Sequence, residues 1–219
     1  MENKVIINIG RQVCAGGLEI GRLLADEFHA AYYDRELLNL AAKESGFSEE
    51  FFKRSDERKG FLRSFLHLPY ANNMGASGSN FYQSNFSQES LFKFQSDAIR
   101  KAASGKGSCV FVGRCADYVL RDMPGVVNVF ITASIEDRAA LFMREKGVGR
   151  DEALKRIEQI ESRRSSYYNY YTGKRWGAAE SYDLCINASI LGSAETARLI
   201  AQFVREKLNM SIKSQTSNL

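Results

Sequence analysis

Apolar residues along this 219-residue chain change their spacing repeatedly, and each change marks an element boundary. Val5 to Ile9 is a short β-branched run ending at Gly10, whereas Ile20, Leu23, Leu24 and Phe28 recur at helical spacing. The pattern predicts strand, glycine-rich turn, helix. Ala31 to Arg35 then reads as a short second strand or its exit, followed by a helical stretch from Glu36 to about Glu44. This is the opening of a βαβ unit.

Residues 47 to 68 are helix-prone and rich in Phe and charge, whereas Pro69 to Asn85 is polar and turn-forming, and a mobile loop is expected there. A helix from about Gln88 to Ala103 precedes the Ser-Gly-Lys-Gly turn at 104 to 107, and Ser108 to Val112 reads as a buried strand ending at Gly113-Arg114. A helix from Ala116 to Arg121, a Pro124-Gly125 turn and a strand from Val126 to Ile131 continue the alternation. From Ile135 to about Tyr170 the pattern is helical, broken around Gly147 to Gly149. It carries Arg138, Arg144, Arg150, Arg156, Arg163 and Arg164, a run that ordinarily forms a solvated helix face. Tyr182 to Asn187 is expected as the last strand, Gly192 to Lys207 as a closing helix, and 208 to 219 as a frayed polar tail. Sustained alternation of this kind predicts an α/β domain with a parallel sheet.

Composition narrows the class. With 44% hydrophobic residues the chain can close a core without disulfides or metal, which excludes disordered, collagen-like and mini-protein readings. Charge sums to 30 − 26 = +4 and is scattered, a mild bias that suits a phosphate-bearing small ligand as well as a nucleic acid. No signal-like or membrane-length apolar stretch is present, so a soluble, cytoplasmic protein without a membrane partner is expected. Cys14, Cys109, Cys115 and Cys185 form no C-x-x-C pair and the chain has two histidines, which predicts reduced thiols and no zinc site. Two prolines against 17 glycines leave the sharp bends to Gly, so glycine positions carry information.

Three clusters could carry chemistry. Gly10-Arg-Gln-Val-Cys-Ala-Gly16-Gly17-Leu-Glu-Ile-Gly21 lies between the first strand and the first helix, where backbone N–H groups can converge on an anion at the positive helix end. It fails the pattern G-x-x-x-x-G-K-[ST], and a tight structural turn explains it equally well. Gly113-Arg114 ends a strand where open α/β sheets bind ligands, and an Arg fork there can grip a phosphate at two points. Asp34-Arg35 lies past the second strand, as a ligand contact or a surface pair. Between Arg163 and Trp176 stand four tyrosines, the only Trp and four basic residues, which could stack bases and hold phosphates or cover a sheet edge.

Taken together, Arg11-Gln12 with Gly16-Gly17-Leu-Glu-Ile-Gly21, Tyr32-Tyr-Asp-Arg-Glu36, Val110-Phe-Val-Gly-Arg-Cys-Ala-Asp-Tyr118, and Tyr167-Tyr-Asn-Tyr-Tyr-Thr-Gly-Lys-Arg-Trp-Gly177 with Tyr182-Asp-Leu-Cys-Ile-Asn-Ala-Ser189 resemble, in order and spacing, the cytidylate kinase-like family of P-loop nucleoside monophosphate kinase relatives. The resemblance covers roughly residues 4 to 207. It implies a three-layer α/β/α P-loop kinase-like fold with a central parallel sheet and a helical lid. The implied organisation is a single domain over 1–207: core segments about 4–46, 88–134 and 178–207, an acceptor-side insertion about 47–87, a lid about 135–177, and the tail 208–219.

By the same resemblance Cys14, Ala15, Gly16, Gly17, Leu18 and Glu19 form the loop that holds ATP, while Asp34, Arg35 and Arg114 face the acceptor. Arg164, Arg163 and Arg11 are the expected catalytic cations, and Glu19 the expected Mg²⁺ ligand. Asn187-Ala-Ser189 would sit near the adenine end of the donor site. Aligned with the loop of true cytidylate kinases, Gly17 stands where the phosphate-binding Lys is found and Glu19 where a Ser or Thr helps hold Mg²⁺, positions that the wider kinase-like family tolerates; that family often offers a basic residue where Leu18 stands, and Cys14-Ala15 replace an expected Gly-Ser. The expected function is transfer of the ATP γ-phosphoryl to a nucleoside monophosphate, CMP or dCMP first. The alternative is a catalytically weak or inactive nucleotide-binding regulatory module on the same fold. The partner is then a small-molecule nucleotide rather than a nucleic acid, since +4 over 219 residues is a small electrostatic footprint, and a homodimer follows from general frequency.

Overall fold

Strand β1 (Ile6–Arg11) is central and buried from Ile6 to Ile9, as a parallel strand covered on both sides requires. The computed structural model describes the backbone of residues 4–34 and 79–216 and the side chains of 4–34 and 88–209. Helix α1 (Gly17–Glu27), β2 (Ala31–Tyr33), α2 (Ser79–Ser104), β3 (Cys109–Val112), α3 (Ala116–Val119), β4 (Val126–Thr132), α4 (Ile135–Lys146), α5 (Arg150–Thr172), a 3₁₀ turn (Ala179–Ser181), β5 (Leu184–Asn187) and α6 (Gly192–Thr216) follow in order. The described strands form one parallel sheet in the order β2-β3-β1-β4-β5. Helices flank it, giving three α/β/α layers.

Alternation decides which side chain goes where. Val5, Ile7 and Ile9 join Val110, Val112, Val127, Val129 and Ile131 on one face, where Ile20 and Leu24 of α1 and Ile200 and Val204 of α6 close a single core. On the other face Asn8 Nδ2 donates to Asn128 Oδ1 at 2.9 Å, a bond between two in-register asparagines that leaves the buried Asn8 Oδ1 without a hydrogen-bond partner. Asn8 is nearly fully buried.

Three boundaries differ from expectation, each for a local reason. β1 runs on to Gly10 and Arg11, because both stay in register with Phe130 and Ile131 of β4, so these residues belong to the strand and not to the glycine turn. Helix α2 starts at Ser79, inside the stretch expected to be a mobile loop, since between Gly78 and Gly105 no Gly or Pro interrupts it. Helix α6 continues to Thr216, past the Lys207 limit expected of it, so most of the supposed tail is helical.

The chain divides into two compact units, Met1–Arg35 with Ile99–Leu219, and Glu36–Ala98. In the second, the described part is the stretch of α2 from Ser79, where Ser96 Oγ donates back to the Phe92 carbonyl at 2.7 Å. The expected helices at 36–44 and 47–68, and residues 47–78 of the expected insertion, lie outside the described residues. No described helix is long and apolar enough to cross a membrane.

Candidate active site

The carboxyl ends of parallel strands point the same way, and this edge gathers the expected site residues. Past Arg11 the chain turns through Cys14 (φ 57°) and Gly16 (φ 77°) into α1, whose first residue is Gly17. Gly16 is the helix cap and offers no side-chain acceptor, so the first N–H groups of α1 have no intrahelical partner and face the loop. Such an end attracts anions through its dipole and its free donors. Ala15 is buried and Leu18 exposed at 45%.

Arg11 crosses this turn. A Cβ built on Gly17 would lie 2.7 Å from both Cβ and Cγ of Arg11, and one on Gly113 would fall on its Nη1. The side chain therefore runs from the start of α1 to the end of β3. Gly113, Arg114 and Cys115 all have positive φ (82°, 59° and 55°), a left-handed turn that costs strain at the two residues with side chains. This turn sets Arg114 with its Cζ 5.4 Å from the Tyr167 ring centroid of α5. Burial pushes the Tyr167 hydroxyl well above its ordinary range, with the Arg114 charge opposing.

The arginine run on α4 and α5 splits. Arg144, Arg150 and Arg156 are exposed, as a solvated face predicts, but Arg138 is buried and Arg163 and Arg164 are half-buried. Arg164 Nη1 donates to the Arg11 carbonyl at 3.2 Å. Desolvation pulls the Arg164 pKa down and the neighbouring Arg114 pulls the same way, against Glu161 and Cys14. An arginine remains protonated all the same. Arg164, Arg114 and the Arg11 chain thus share one end of the sheet. Arg163 precedes it on the same helix turn and is half-buried as well.

Two contacts that the sequence did not reveal hold the loop to the helical pair. Val13 N–H donates to Glu161 Oε1 at 3.1 Å, and the same oxygen pairs with Arg138 Nη1 at 2.6 Å. Arg138 Nε in turn donates to the Ala133 carbonyl at 3.1 Å. Val13 also forms an apolar cluster with Ala139 and Phe142 of α4 and Ala153 and Ile157 of α5, with Cys14 packed against it. The loop is therefore docked on α4 and α5 by a core of its own. Burial, with Glu145, raises the Cys14 thiol, which is not activated for nucleophilic attack. The spacing Glu161 to Arg164 on one helix face is the one signal that could have pointed to this strap.

Other placements are plain. Asp34 is half-buried, one residue beyond β2, and its charge adds to the burial that raises Tyr32, whereas Arg35 lies outside the described residues. Glu19 is exposed in the first turn of α1 and its Oε2 accepts from Ser193 Oγ of α6 at 2.7 Å. Among the described residues no three His, Cys, Asp or Glu side chains converge on a metal position. A lone carboxylate fits Mg²⁺, which takes few protein ligands and fills its octahedron with phosphate oxygens and water. Behind the loop, Tyr168 Oη donates to Asp117 Oδ2 at 2.6 Å, and Tyr182 joins this buried group. On the β5 side, Ser189 Oγ accepts from Ser134 N–H at 2.8 Å. A shallow cavity of about 380 Å³ lies along α5 between Ile135, Glu161 and Trp176.

The fold has counterparts among solved structures. An uncharacterised protein of Eubacterium ventriosum is 24% identical, with a TM-score of 0.69 over 92% of this chain and 99% of its own. A Thermus thermophilus protein is 17% identical, with a TM-score of 0.58 over 94% and 99% of the two chains. The shikimate kinase of Bacteroides thetaiotaomicron is 14% identical, with a TM-score of 0.52 over 94% and 98%. These likenesses establish the fold. No curated protein matches the chain. The model of the cytidylate kinase-like family matches residues 6–190, a span that holds the loop, the Gly113-Arg114 turn and both arginine-bearing helices, and the chain belongs to that family.

Proposed function

We propose that this chain is a phosphotransferase that moves the γ-phosphoryl group of ATP to a nucleoside monophosphate, CMP or dCMP first. The observation that carries the reading is the convergence of Arg11, Arg114 and Arg164 on a loop that opens into a helix N-terminus. In phosphoryl transfer the charge that develops lies on phosphate oxygens, so catalysis is chiefly positioning and electrostatic stabilisation. Fixed guanidinium groups in a partly desolvated site suit that task. The residues Cys14 to Glu19 would hold the donor phosphates. Asp34 and Arg114, at the ends of β2 and β3, would face the acceptor, with Arg35 next to Asp34 in sequence. Glu19 would hold Mg²⁺, which neutralises donor charge when bound. Arg164 and Arg163 would approach the transferred group from α5. A soluble cytoplasmic enzyme using small-molecule nucleotides, assembled as a homodimer, accompanies the reading.

A second reading, a nucleotide-binding module with little or no turnover, is favoured by Gly17 in the place of the lysine of true cytidylate kinases and by Leu18 after it. Coupled detection of ADP with CMP, dCMP, UMP, AMP and GMP as acceptors separates the two. Turnover with a pyrimidine monophosphate is expected, and nucleotide binding without ADP formation at high enzyme concentration would leave only the module.

A further inference from the structure

We infer that Arg11 takes over the role of the missing loop lysine, and that Gly17 and Gly113 are glycines because its side chain passes over both. The inference rests on the phosphotransferase reading above. The Arg11 stem lies so close to Gly17 that a Cβ there would be 2.7 Å from its Cβ and Cγ and 3.5 Å from its Cδ. Real Cβ atoms do not approach so closely, so a lysine at 17 and an arginine at 11 exclude one another. At the far end a Cβ on Gly113 would displace the guanidinium, with Cζ 3.2 Å away. The corridor exists only because both residues lack side chains.

Its direction is as informative as its width. It leads from the first residue of α1, where donor phosphates would sit, to the turn that carries Arg114. A cation on this line lies between donor and acceptor. The backbone of Arg11 is held from both sides, by the Arg164 bond to its carbonyl and by Gln12 N–H donating to the Ile131 carbonyl at 3.0 Å. The guanidinium charge also reaches the Tyr32 hydroxyl beside β2. A planar fork at this point can bridge two phosphate oxygens, which a lysine ammonium contacts as a point charge. The positive charge of the loop has been relocated from one residue to another.

The test is a cycle of Arg11→Gly, Gly17→Lys and the double variant, read by calorimetric titration with Mg²⁺-ATP and with AMP and by thermal unfolding. Arg11→Gly should weaken ATP binding by about tenfold to a hundredfold and leave AMP, which has no β- or γ-phosphate, within about twofold. Gly17→Lys alone should lower both the unfolding midpoint and the ATP affinity, because its stem collides with that of Arg11. In the double variant with Arg11→Gly both the Cβ and the Cγ that a side chain at 17 would meet are gone, so the lysine enters the vacated space, and ATP affinity should rise at least about tenfold above that of Arg11→Gly. A purely structural arginine would not be rescued by a cation at 17. Arg11→Gly binding ATP like the native protein, or Gly17→Lys acting independently of residue 11, overturns the inference. A native protein that binds no nucleotide at all overturns the phosphotransferase reading, and the role of Arg11 with it. The unfolding midpoints would then still show whether positions 11 and 17 share one space.

Discussion

The Glu161 carboxylate accepts the loop amide of Val13 at 3.1 Å with the same oxygen that pairs with the buried Arg138 at 2.6 Å. One side chain thus ties the loop to both helices of the pair. Glu161→Ala leaves a guanidinium that is 7% exposed without a counter-charge, and a loss of roughly 3 kcal/mol is expected, since removing one member of a buried pair leaves the other uncompensated. Glu161→Gln keeps an acceptor for Val13 and should cost less. Urea unfolding of both variants checks the order.

Arg164→Ala should reduce turnover more than substrate binding. Its Nη1 fixes the Arg11 carbonyl, and its charge faces the same end of the sheet. Removing one preorganised donor from such a site lowers kcat by about a hundredfold to a thousandfold, whereas Arg164→Lys keeps the charge and should fall between. Steady-state kinetics that show an unchanged kcat with a raised KM would assign Arg164 to uniform binding instead.

Gly10→Ala is expected to destabilise without touching a ligand. Its Cβ would sit 2.7 Å from the Phe130 ring and 3.2 Å from the Tyr182 ring. Phe130 cannot move aside, because Trp176 meets it edge-on with centroids 5.4 Å apart and Tyr182 tilts against it at 4.9 Å. Overpacking of this kind costs about 1–3 kcal/mol. The change is read most directly from the fluorescence of Trp176, the single tryptophan of the chain, during unfolding.

Asp117 contributes a pH dependence of defined sign. Burial raises its pKa above the ordinary 3.8, and the hydrogen bond from Tyr168 only partly offsets this. The native state therefore holds the proton more tightly than the unfolded chain does, and stability falls as pH rises from 3.8 through the higher native value. Asp117→Asn keeps an acceptor for Tyr168 Oη and removes the charge, so it should flatten this slope. Stability measured at several pH values from about 4 to 7 in the two proteins tests the sign.

The strands were legible because parallel strands covered on both faces are runs of Val and Ile, and Val5 to Ile9, Val110 to Val112 and Val126 to Ile131 are such runs. Glycine positions were equally informative: Gly147 and Gly173 close α4 and α5 in the left-handed conformation, as the interrupted pattern implied. Less legible was the split in the arginine run, since Arg138 is separated from its partner Glu161 by a whole helix–helix crossing and its burial depends on that crossing. The route of Arg11 was hidden for the same reason. Sequence shows a glycine at 17 and an arginine at 11, but only the curvature of the loop lays one over the other. The start of α2 is hard to read because its Ser and Asn residues suggest turns, whereas the absence of Gly and Pro from Ser79 to Ser104 lets the helix run unbroken.

Lys4, just ahead of β1, donates to the carbonyls of Ala103 and Gly105 at the amino edge of the sheet, while the loop begins at the opposite edge. At about 3.3 Å per residue, the strand between them sets roughly 20 Å of backbone between that lysine and the loop. A fluorophore or surface linker joined near Lys4 would report on or immobilise the protein from the side away from the loop. Ligand titrations on such a surface would leave the Arg11 corridor open to solution.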